Sequence, residues 1–168
     1  RFLPPERNRK LGWYARVNPR HDEWDIYSPE FIRISTFATV LKTIYMFEEP
    51  DALGRPLTWA FDAPQLLVVP RAGQWANAYY ERASHSLQFF YFDAGDSERV
   101  YTGLSRDIVA HETGHAVLDG IAPDLYDAIT PQSLALHEAI ADLTAALIAF
   151  RSHNLSHRVL ARTKGSIA

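Results

Sequence analysis

Cysteine is absent from the 168 residues, which excludes disulfide bridges, thiolate zinc sites and a thiol nucleophile. Any metal is therefore left to His, Asp and Glu. Dense basic runs are missing too. Seventeen Lys and Arg against twenty Asp and Glu give a net charge of -3, with no electrostatic footprint for nucleic acid or an anionic membrane. No uninterrupted apolar run reaches the roughly 18 residues of a membrane helix, so no membrane span is expected. The opening Arg1-Phe2-Leu3-Pro4-Pro5 lacks the charged-then-apolar form of a signal peptide. With no Met at position 1, the sequence reads as a processed, trimmed or partial chain. What is present is 47% hydrophobic residues, enough for one ordinary domain with a sizeable core, or for part of a larger one.

Residues 1–28 mix Pro, Arg and aromatics without period and read as an irregular arm, with Trp13, Tyr14 and Trp24 available to pack onto the body. The domain proper is expected over 29–168. Ser28-Pro29 marks a helix start, because Ser caps well and Pro at the first helical position loses no hydrogen bond. A helix over roughly 29–48 follows, with Phe31, Ile34, Phe37, Val40, Leu41, Ile44 and Tyr45 as its core face. After Pro50-Asp51-Ala52-Leu53-Gly54, four short segments rich in branched and aromatic residues read as strands: Leu57 to Phe61, Leu66 to Val69, Ala76 to Arg82 and Leu87 to Asp93. The last two form a hairpin around Arg82-Ala83-Ser84-His85. Helical patterning resumes from Thr102, with Ser105 or Thr102 as cap and Gly120 with Pro123 as terminator. A further helix starts at Thr130-Pro131 and runs to about Phe150. Helix, strands, then two helices define an α+β chain with a small, mainly antiparallel sheet packed on helices.

The chemistry concentrates in His111-Glu112-Thr113-Gly114-His115. Residues four apart on a helix lie about 40° apart around its axis, so His111 and His115 can direct both imidazoles at one ion. Glu112 flanks the same space. Two His ligands beside a carboxylate that stays off the metal are what metal-assisted hydrolysis requires: the ion acidifies a water and the Glu accepts its proton. Five residues alone recur by chance, but these lie in a segment independently read as helical. Glu138, 23 residues after His115 on the next helix, is placed to supply a third ligand. Asp142, one turn further, can accept the free N–H of His111 or His115 and fix its orientation. The plain alternative makes His111 and Glu112 a solvated helix face and Glu138 and Asp142 mere solubilising charges.

His111-Glu112-Thr113-Gly114-His115-Ala116-Val117 followed by His137-Glu138-Ala139-Ile140-Ala141-Asp142 resembles the paired zinc-binding helices of the thermolysin-like metallopeptidases whose third ligand is Glu. The resemblance implies a Zn²⁺ cofactor held by His111, His115 and Glu138, with Glu112 as general base and Asp142 as partner of a ligand His. Tyr126, eleven residues after His115, matches the family tyrosine that supports the oxyanion. Trp75-Ala76-Asn77-Ala78-Tyr79-Tyr80 is similar to the family's substrate-aligning edge strand, whose Asn-Ala pair, here Asn77 and Ala78, hydrogen-bonds a peptide backbone. An exposed edge can accept an extended peptide as an added strand, which favours peptide substrates.

The resemblance runs from about Trp75 to Phe150 and stops. Family members continue into a mostly helical lobe that contributes an oxyanion-binding His held by an Asp, and no residue can be assigned to that role. His153 and His157 follow the second helix too closely. Asp107 matches a family calcium ligand, but no Asp or Glu follows Asp142, so structural calcium is not expected; Asp107 fits a first-turn acid favourable to the helix dipole, and Asp119 reads as a surface residue. A third His six residues after the motif would need His where Ile121 stands. Two functions follow as expectations: a zinc endopeptidase acting on peptide or protein substrates, and a zinc-stabilised peptide-binding module without turnover. Only the resemblance points towards secretion; oligomeric state is left open.

Overall fold

The computed structural model describes residues 25–95 and 99–166; the expected arm, with Trp13, Tyr14 and Trp24, lies outside them apart from its last four residues. Ser28 caps α1 (Pro29–Glu48), its hydroxyl accepting from the Phe31 N–H at 3.2 Å. Of the face expected for α1, only Val40 is fully buried. Ile32, Thr36, Thr39, Val40, Thr43 and Met46 are buried, whereas Phe31, Ile34, Phe37, Leu41 and Ile44 are half-buried and Tyr45 is exposed. Threonine can line this face because its hydroxyl finds an acceptor on the helix itself: Thr36 lies 2.7 Å from the Ile32 carbonyl and Thr43 lies 2.9 Å from that of Thr39.

Helices beside small sheets are compatible with the expected α+β class, but the three-stranded sheet is mixed rather than mainly antiparallel. Its order is β1 (Leu67–Val69), β3 (Ser86–Phe89), β2 (Ala78–Glu81), with β1 parallel and β2 antiparallel to β3. β2 and β3 form the expected hairpin. Arg82 O accepts from His85 N at 2.9 Å, and His85 takes φ 43° to close the turn. The strand expected over 87–93 changes partners at Phe90, whose N–H meets the Asn77 carbonyl and the Thr102 hydroxyl. Beyond it, β4 (Tyr91–Asp93) pairs antiparallel with β5 (Arg99–Tyr101) as a separate two-stranded sheet. Leu57 to Phe61 is not a strand. Trp59 and Phe61 stack at 5.8 Å and pack against the core, so their aromatic character serves packing rather than a ladder.

Of the four α-helices that follow among the described residues, the sequence indicates two. α2 (Arg106–Ile121) runs through Gly120, and Pro123 opens a short helix, α3 (Pro123–Asp127). α4 (Pro131–Phe150) begins as expected at Thr130, in a capping box with Ser133. α5 (His153–Thr163), capped by Ser152, was not anticipated. The core gathers Val40, Tyr80, Leu87, Phe89, Val109 and Ala116, binding α1 and α2 to the sheet.

α2 and α4 pack closely, because small residues meet where they cross. A Cβ placed on Gly114 would lie 3.0 Å from Thr144 Oγ1 and 3.1 Å from Ala141 Cα. By length and composition α4 is apolar enough to cross a membrane, and 22% of that stretch is buried. Its apolar sequence is interrupted by His137, Glu138 and Asp142.

Candidate metal centre

Helix α2 fixes His111 and His115 one turn apart, and α4 brings Glu138 to both. His111 Nε2 and His115 Nε2 are 3.2 Å apart; Glu138 Oε2 lies 3.3 Å from His111 Nε2, and Glu138 Oε1 lies 3.7 Å from His115 Nε2. Donors held about 2.0–2.2 Å from a tetrahedral ion lie about 3.3–3.6 Å from one another. The two imidazole nitrogens fall at about that spacing, each of the two Glu138 oxygens lies near it from one imidazole, and with one donor atom per residue the three lie within 4.8 Å of one another. The donor set of two imidazoles and a carboxylate suits zinc, and three protein ligands leave a fourth position open. The residues therefore fit the ion that the sequence implied.

Protonation favours the same arrangement. Asp142 Oδ1 lies 3.0 Å from His111 Nδ1; a carboxylate there accepts, so Nδ1 donates and Nε2 is the nitrogen that faces inward. Burial pushes the His115 imidazole down to about 4, with the neighbouring His111 and His137 adding to the effect. His115 is thus neutral at physiological pH, the state a metal requires.

Glu112 is 8% exposed, which overturns the picture of a solvated face. Its Oε2 accepts from the Tyr80 backbone N–H at 3.1 Å. Burial raises the carboxyl above the ordinary range, while His111 and the Tyr80 N–H act the other way. Glu112 and His111 line an open groove of about 520 Å³, together with Asn77, Ala78, Asp107 and Asp142.

The wall opposite α2 is β2. Tyr80 turns its N–H to Glu112 rather than to β3, so Tyr80 and Leu87 form a pair without mutual hydrogen bonds. Alternation along an antiparallel ladder then turns the N–H and C=O of Ala78 outward on the same edge. Asn77 differs. Its carbonyl accepts from Phe90 N and from Thr102 Oγ1, which leaves its side chain to the groove.

Tyr126 stands apart from this lining. It sits on α3, 37% exposed, and reaches His115 and His111 through a chain of rings. His111 and His115 are 4.8 Å apart, His115 and His137 5.7 Å, His137 and Tyr126 5.9 Å, and Tyr126 and Tyr80 5.9 Å. His137 is buried, and its Nε2 has no hydrogen-bond partner among the described residues. Burial lowers the pKa of its imidazole.

Asp119 is not a surface residue. It is fully buried and receives Tyr80 Oη at 2.6 Å and the Arg82 guanidinium. The sequence carried a signal for this: Asp119 follows Glu112 by seven residues, hence lies on the same side of α2, facing β2. His153 and His157 lie on exposed α5, beside a separate shallow pocket. Asp107 opens the first turn of α2. No family model, curated protein or solved structure matches this chain.

Proposed function

We propose that this chain is a zinc-dependent endopeptidase, with His111, His115 and Glu138 as ligands and Glu112 as general base. The observation that carries the reading is the convergence of the three donor atoms within 4.8 Å of one another, beside a buried carboxylate that is not among them. A zinc ion, when bound, acidifies a water and polarises the scissile carbonyl. Glu112 takes the proton as the water oxygen attacks the carbonyl carbon, and delivers it to the leaving nitrogen as the C–N bond breaks. Its burial suits the second half of that task, since the protonated carboxyl is favoured there.

Substrate orientation falls to β2. An extended peptide in the groove can pair with the outward N–H and C=O of Ala78, while the Asn77 side chain offers a further polar contact. Tyr126 supports the oxyanion in this reading.

Glu112→Gln provides the test. The variant should retain zinc and lose cleavage of a peptide library, and unchanged turnover would remove the mechanism. Digestion with and without a chelator separates the peptidase from a zinc-stabilised peptide-binding module, which would hold peptides at the same groove without cutting them.

A further inference from the structure

Five-residue α3 buries none of its own residues, and a helix so short has no stability of its own. Its position must come from outside, and one side chain reaches it at three of its residues. Arg82, at the end of β2, uses all five of its N–H donors. Nε donates to Asp119 at 2.9 Å, and Nη2 donates to Asp119 and to the Pro123 carbonyl. Nη1 reaches both carboxylate oxygens of Asp127 at 2.9 Å. The guanidinium carbon also lies 4.3 Å above the Tyr126 ring. Arg82 thus grips α3 at Pro123, Tyr126 and Asp127, and anchors it to the buried Asp119 of α2.

We propose that Arg82 is a positioning residue that acts on peptide hydrolysis through Tyr126. The proposal rests on the peptidase reading above. The ring chain gives it direction: Tyr126 is held between the Arg82 cation and the His137 edge, and His137 lies against the ligand His115. A planar fork is needed for this. Lysine keeps the charge but cannot bridge two carboxylates and a carbonyl while lying flat on a ring.

The test compares the zinc-loaded full chain with Arg82→Lys, Asp127→Ala, Tyr126→Phe and the two doubles containing Tyr126→Phe, using a fluorogenic peptide. The Asp127 carboxylate is 68% exposed, so Asp127→Ala cuts only the α3 tether and keeps the test alive if Arg82→Lys fails to fold. Each single variant should lower kcat on the order of tenfold, less than the roughly hundredfold that a 1 Å misplacement can cost. KM should stay within about twofold and zinc content unchanged. Adding Arg82→Lys or Asp127→Ala to Tyr126→Phe should slow it no further. Amide exchange over Leu125–Ala128 should quicken in Arg82→Lys and Asp127→Ala, with α2 unchanged.

Effects that multiply, an unchanged kcat in Tyr126→Phe, or unaltered exchange in α3 would overturn the positioning role while leaving the peptidase reading intact. A wild-type chain that loads zinc and cuts nothing overturns the peptidase reading, and this inference with it.

Discussion

Asp142 holds His111 by its Nδ1 at 3.0 Å, and so decides which nitrogen of that ring faces Glu138 and His115. Removing the carboxylate frees both the tautomer and the ring orientation. Asp142→Ala should weaken zinc binding about 10- to 100-fold, as loss of such partners does elsewhere, in competition with a chelating dye. Asp142→Asn, whose amide oxygen still accepts, should lose less. Equal affinity in Asp142→Ala and wild type would show that the contact does not orient the ligand.

Zinc should stabilise the fold, because its ligands come from two helices. With free zinc at about 1,000 times its dissociation constant, linkage adds about 4 kcal/mol, or roughly 8–16 °C in Tm for a chain of this size. Circular dichroism melts with zinc and with chelator measure it. His111→Ala should remove the difference; if it persists there, the ion binds elsewhere.

Gly114 lets α2 and α4 approach, and a methyl group there would press on Ala141 and Thr144. Gly114→Ala should cost about 1–3 kcal/mol by overpacking and, by parting the helices, should weaken zinc binding as well. Gly120→Ala should be worse for the fold, since its Cβ would lie 2.1 Å from the Thr58 carbonyl oxygen, backbone that has little freedom to yield. Melting curves and zinc titrations of the two variants separate these effects: the first variant alone should show a zinc defect out of proportion to its loss in Tm.

Asp119→Ala leaves the Tyr80 hydroxyl and part of the Arg82 fork without their buried acceptor. The cost should be about 3 kcal/mol, or roughly 6–12 °C in Tm, read by thermal melting. A loss below about 1 kcal/mol would place the network among ordinary exposed pairs.

The helix starts at Ser28 and Thr130 were legible because a capping side chain followed by Pro has a local meaning that tertiary context did not override. The motif residues were legible for the same reason: a four-residue spacing on a helix fixes which side chains share a face. The core face of α1 was not, since hydrophobic pattern cannot foresee a threonine face whose hydroxyls bond their own helix. Nor was the Arg82, Asp119 and Asp127 network, in which the arginine lies 37 and 45 residues from its partners. Asp119 alone left a trace, in its seven-residue offset from Glu112. The break at Phe90 escaped for a related reason, because its new partners, Asn77 and Thr102, are distant in sequence.

The uneven burial of α4 bears on how these melts are recorded. Leu136, Leu143, Leu147 and Phe150 recur at seven-, four- and three-residue steps along one side of the helix, and all are exposed, Phe150 by 76%. Environment-sensitive dyes used in thermal-shift assays fluoresce on such surfaces. The native protein should therefore start such a scan already bright, which compresses the transition and favours label-free detection.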